Sequence, residues 1–138
     1  LNWKEDKIIV YVIGYGIPFS DPLTMPIYPK NYESFIDTLI HELIHQLFTQ
    51  EGNLESAKKA WAYIFRKYKN ESYTTKIHIP LHAIHSHIYL KFFNENRLQK
   101  DIKRISFRED YKKSWQIVKK EGYGNIIKEF RNRVKNRK

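Results

Sequence analysis

Between Asn31 and Gly52, apolar side chains recur at Tyr32, Phe35, Ile36, Leu39, Ile40, Leu43, Ile44, Leu47 and Phe48. That is a period of about 3.6 residues, the spacing of one face of an α-helix. Asn31 offers an N-cap oxygen, and Gly52 supplies a stop. A chain of 138 residues that commits about five turns to one amphipathic helix must build its core around that helix.

His41-Glu42-Leu43-Ile44-His45 lies in the middle of this stretch. Histidines at i and i+4 project from the same side of a helix, roughly 6 Å apart. Both imidazoles can then reach one zinc ion at about 2.0–2.1 Å. Glu42, one residue past the first histidine, falls beside the metal rather than on it. A carboxylate there can take a proton from zinc-bound water, whose pKa the metal lowers to about 7, and pass it on to a leaving amine. His41 and His45 are therefore candidate metal ligands, Glu42 is the candidate general base, and peptide-bond hydrolysis is the expected reaction.

Composition narrows the donor set. The chain has no cysteine, so disulfides and thiolate ligands are excluded, and histidine and carboxylates remain. Lack of cysteine also fits a reducing compartment, and we expect a cytoplasmic protein. No apolar run is long enough to span a bilayer, and residues 1–6 lack the apolar region of a signal peptide. A first residue of leucine rather than methionine suggests that something preceded it. The net charge of +10 is uneven: residues 1–90 carry 9 Lys/Arg and 9 Asp/Glu, residues 91–138 carry 16 and 6. Such a basic block can be a solvated helical face or a surface for an anionic partner.

Elsewhere, Lys7–Ile13 is β-branched and aromatic and reads as a strand. Four prolines in residues 18–30 mark a loop or edge segment, with a short strand over Leu23–Tyr28. Pro26 inside it predicts a sheet edge, because proline cannot donate to a ladder. A second helix fits residues 54–68, and residues 69–76 read as a polar loop. A third helix starts near His78–Pro80, with the proline in its first turn, and runs to Phe93. Residues 94–108 are charged and weakly periodic. Tyr111, Trp115 and Val118 mark a fourth helix, which breaks at Gly122-Tyr123-Gly124 before a last basic helix. The class is α+β, with a catalytic domain over 1–93 and a basic helical extension over 94–138.

A catalytic zinc site wants a third protein ligand. Glu51 lies ten residues after His41, the spacing used by metzincin peptidases. Their sharp turn needs a glycine three residues after the second histidine, where this chain has Phe48. Residues 77–90 offer His78, His82, His85 and His87. On a helix the first three share a face, and His87 points elsewhere.

The order of strand, edge segment, His-Glu-x-x-His helix and later ligand helix resembles the gluzincin branch of zinc metallopeptidases. It is most similar to the minigluzincins, small relatives of the catalytic domains of certain membrane-embedded peptidases. The resemblance spans roughly residues 7–93. It implies a small mixed β-sheet packed on an active-site helix and a ligand helix. It also implies a histidine third ligand, which the tract Leu81-His82-Ala83-Ile84-His85-Ser86 places first at His82, then His85, then His78. Ser86 stands where many relatives have an acidic residue, and Tyr73 where some carry an oxyanion-stabilising group. His78 or His85 could instead donate that hydrogen bond.

By the same resemblance, a peptide or protein substrate would add as a strand to an exposed edge, with Met25–Tyr28 the candidate. Some relatives are latent, their C-terminal segments covering the cleft. Residues 94–138 are candidates for that role in a zymogen, within one molecule or through a homodimer of exchanged helices. On that expectation, removing residues beyond about Lys100 raises peptidase activity. The alternative is a basic module with structural zinc that binds nucleic acid or a protein partner; the peptidase is the primary expectation, and nucleic acid is not its expected partner.

Overall fold

The structure is a computed structural model that describes residues 1–27 and 31–134. Among these it has a three-stranded mixed sheet and seven helices, an α+β fold. Two compact units divide at Leu54/Glu55. The expected catalytic domain over 1–93 and extension over 94–138 rest on other grounds, the span of the resemblance and the helical tail. Among the described residues, no helix is long and apolar enough to cross a membrane.

The first unit holds β1 (Tyr11–Ile13), β2 (Phe19–Ser20), β3 (Leu23–Pro26) and α1 (Tyr32–Thr49). Strand order is β1-β3-β2, with β1 parallel and β2 antiparallel to β3. The described part of the expected edge strand, β3, is therefore central, not an edge. Pro26 closes β3, and the next amide, Ile27 N, continues the pairing by donating to Ile13 O at 2.9 Å. A proline at the last position of a strand removes little from the ladder, so its presence did not force an edge. Leu23 and Met25 are buried, and β3 packs against α1. Tyr28, the end of the segment proposed to bind substrate, lies outside the described residues. The edges are β1 and β2. β1 is shorter than the apolar run 7–13, and much of that run is exposed, Ile9 by 70%.

Helix α1 forms where its period predicts. Asn31 Oδ1 accepts from Ser34 N at 3.0 Å, and Gln50 N donates to Gln46 O at the other end. Gln46 Nε2 donates to Ser20 O at 2.7 Å, tying the helix to β2. Asn53 Nδ2 donates to both Asn2 O and Leu47 O, pinning the N-terminal segment to the end of α1. The burial departs from the apolar stripe, however. Tyr32 and Ile36 are exposed, whereas Ser34, Asp37, Thr38, His41 and Glu42 are buried. Burying so many polar groups on one helix is costly unless each is hydrogen-bonded or ligating.

The second unit contains α3 (Lys58–Lys67), α4 (Tyr73–Phe92), α5 (Glu95–Ile105), α6 (Glu109–Glu121) and α7 (Tyr123–Arg131); the four-residue α2 (Asn53–Ser56) spans the division. Helix α4 is its axis, packed against α5, α6 and α7. It starts five residues earlier than its apolar pattern suggests, because Ser72 Oγ caps it by accepting from Thr75 N at 3.0 Å. Pro80 consequently sits inside the helix, fully buried, rather than in its first turn. Residues 94–105, charged and weakly periodic, still form α5, capped by Asn94 Oδ1 on Arg97 N. Gly122, at φ +83°, ends α6 and lets α7 begin at once.

Residues 94–134 are integral to this unit. Ile79, Leu81, Ala83 and Tyr89 of α4 are fully buried, as is Ile126 of α7. Trp61 of α3 meets Phe130 of α7 edge-on at 5.1 Å. Lys67 bridges Glu121 and Glu129 at 2.7 and 2.8 Å, and these carboxylates also accept from Tyr68 and Tyr63. We expect Ile126→Ala to cost about 2–5 kcal/mol, the range for truncating a buried isoleucine. Chemical denaturation would show the loss; a cost below about 1 kcal/mol would mean that α7 is not part of the core.

Candidate metal centre

His41, Glu42 and His45 lie on consecutive turns of α1. His41 and Glu42 are each 7% exposed, and His45 is half-buried. The His41 and His45 rings meet edge-on with centroids 4.9 Å apart, the closeness expected of i, i+4 side chains. Glu51 follows the end of α1 and is exposed.

Helix α4 carries the remaining four histidines. His78, His82 and His85 are buried, while His87 is exposed with its ring 6.1 Å from Tyr123, on a different side as the spacing implies. Each buried histidine meets a residue from beyond position 100. His78 lies against Tyr111, centroids 4.2 Å apart. His82 stacks on Trp115 at 4.0 Å and 7°, and its Nδ1 is 2.7 Å from Ser114 Oγ. His85 Nε2 is 3.7 Å from Asp101 Oδ2, while Arg104 takes the other carboxylate oxygen at 2.6 Å.

These contacts assign tautomers. The Thr74 carbonyl, 2.7 Å from His78 Nδ1, can only accept, so Nδ1 donates and Nε2 keeps a lone pair. Burial lowers the pKa of His78, which keeps the ring neutral. Ser114 Oγ donates its one hydrogen to Tyr111 O at 2.8 Å, so it accepts from His82 Nδ1. His82 Nε2 likewise keeps its lone pair. Ser86 Oγ, one turn on, donates to His82 O at 2.9 Å and is spent on the helix backbone. Tyr73, 67% exposed, starts α4 with its ring against Phe65.

Ligand atoms of His41, His45 and His78 all lie within 4.8 Å of one another, and this buried group could hold a metal ion. Among the described residues it is the one group of three or more His, Asp or Glu with that geometry. Imidazoles without a thiolate are a donor set of the kind that first-row transition-metal ions accept. His82, the expected third ligand, lies one turn beyond His78, ring centroids 5.4 Å apart.

Sequence reading did not single out Asp101, Asp110, Tyr111, Ser114 or Trp115 for this region. Their spacing in the chain carries no motif, and only the packing of α5 and α6 on α4 brings them to the histidines. No family model matches the chain, and comparison with curated proteins and with solved structures gave no match.

The buried imidazoles should make stability pH-dependent. Burial, and secondarily Arg104, push His85 down to about 3 from 6.5. Between those values the unfolded chain binds a proton that the folded one refuses, so stability is greatest above pH 6.5 and falls as pH drops toward 3. His78 acts in the same direction. His85→Asn should flatten the fall in Tm between about pH 6.5 and 4.5; the same slope in variant and parent would contradict this assignment.

Proposed function

We propose that the protein is a zinc-dependent peptidase of minigluzincin type, with His41, His45 and His78 as metal ligands and Glu42 as general base. The observation that carries the reading is the buried three-histidine group, two of whose members flank a buried glutamate in His-Glu-x-x-His. Peptide hydrolysis adds the hydroxyl of water to the carbonyl carbon and its proton to the departing nitrogen. Zinc, when bound, supplies Lewis acidity and lowers the pKa of a water. The chain's own part falls to Glu42. Its carboxylate takes the proton as water attacks, and returns it to the amide nitrogen as the C–N bond breaks. Burial of Glu42 keeps solvent from competing for that proton.

Support for His78 as third ligand comes from the grouping of ligand atoms and from its tautomer, which puts the ring's acceptor lone pair at Nε2. His82 has the same tautomer and the place that the family's pattern favours. The two are separable by experiment. His78→Ala should weaken zinc binding more than about 100-fold, and His82→Ala less; the reverse order would assign the third ligand to His82.

Glu42→Gln tests the activity itself. It should bind zinc normally and lose hydrolysis of a broad peptide library by about 10²–10⁴-fold, the usual worth of a general base. Hydrolysis unchanged in Glu42→Gln, or undetectable in the zinc-loaded parent, would overturn the peptidase reading.

A further inference from the structure

His78 is fixed from two sides by neighbouring residues of α6. One contact acts on the first turn of α4. Asp110 Oδ1 accepts from Ser72 Oγ at 2.5 Å and from Thr75 Oγ1 at 3.0 Å. Ser72 and Thr75 enclose Thr74, whose carbonyl takes the His78 Nδ1 proton at 2.7 Å. The clamp therefore holds in place the acceptor that selects the tautomer. The other contact acts on the ring. Tyr111 lies over His78 with centroids 4.2 Å apart at 35°, which restricts rotation of the imidazole about its side-chain bonds.

The geometry points to Asp110 and Tyr111 as positioning residues for the third metal ligand: Asp110 holds the turn whose carbonyl sets the His78 tautomer, and Tyr111 holds the plane of the ring. This rests on the proposed ligation by His78. Neither residue touches a reacting atom. Groups that orient a ligating histidine commonly change metal affinity about 10–100-fold, because a ligand free to rotate or to change tautomer must be ordered when the metal binds. Both residues belong to the basic segment 94–138. That segment thus supports the site, and a chain cut short of α6 would lose an orienting element.

The test uses full-length protein. Two-bond ¹H–¹⁵N correlation spectra of the metal-free form report each histidine's tautomer, with His78 assigned through His78→Gln, and competition against a chromophoric chelator gives the affinity for zinc alone. His78 should appear as a single Nδ1–H tautomer in the parent. Asp110→Ala and Tyr111→Ala should bind zinc about 10–100-fold more weakly, and Asp110→Ala should also show mixed tautomers. Asp110→Asn, which keeps the Oδ1 acceptor, and Tyr111→Phe, which keeps the ring, should restore most of the affinity. A purely structural role would leave the tautomer unmoved. An Nε2–H tautomer at His78 in the parent overturns the proposal without any variant, as do unchanged affinity and tautomer in both alanine variants while the parent binds zinc. A parent that binds no zinc overturns the metal reading itself, and this role with it.

Discussion

A histidine buried on a helix is held in one state when its ring N–H finds an acceptor that does not move. Helix α4 meets this condition at His78 and His82, and the way it does so organises the second unit. His78 gives its proton to the carbonyl of its own first turn, His82 gives its proton to Ser114, and His85 lies beside the Asp101–Arg104 pair. The acceptors and stacking partners come largely from α5 and α6. Those helices consequently help to fix the three buried imidazoles that α4 presents. Lone pairs at Nε2 of His78 and His82 are the product of that arrangement, and a lone pair held in a fixed direction is what a metal site requires.

The first unit solves a related problem. On α1 the polar side chains Ser34, Asp37, Thr38, His41 and Glu42 are more deeply buried than Tyr32 or Ile36. A helix built only to fill a core would show the opposite order. Burial of a glutamate between two histidines is costly and adds nothing to packing that leucine would not add better. Burial against the local hydrophobic pattern supports the proposed role of this face.

Much of this was legible in the chain. The period at residues 32–48 places α1 to within a residue or so, and the pair His41/His45 follows from helix geometry alone. Other parts were hidden for specific reasons. The start of α4 was masked because Ser72 and Thr75 look like loop residues until one sees the hydroxyl cap between them. Pro26 suggested an edge because a proline's cost depends on its place within the strand, which the sequence does not give. The histidines of α4 share one face whichever of them binds, so ranking His82 over His78 relied on the family pattern. That Asp110, Tyr111 and Ser114 reach the first turns of α4 and its histidines left no trace in one dimension, because they meet α4 only through the packing of α6. The charge step near residue 90 records solvation of the outer faces of α5–α7 and says nothing of their inner faces, which support the buried histidines.

The central claim is a metal held by three imidazoles with one position left open. X-ray absorption at the zinc edge of the full-length, zinc-loaded protein addresses it directly. Three imidazole nitrogens at about 2.0 Å and one oxygen in the first shell are predicted. A first shell of four imidazoles would close the site, contradict a hydrolytic role for Glu42 and return zinc to a structural part.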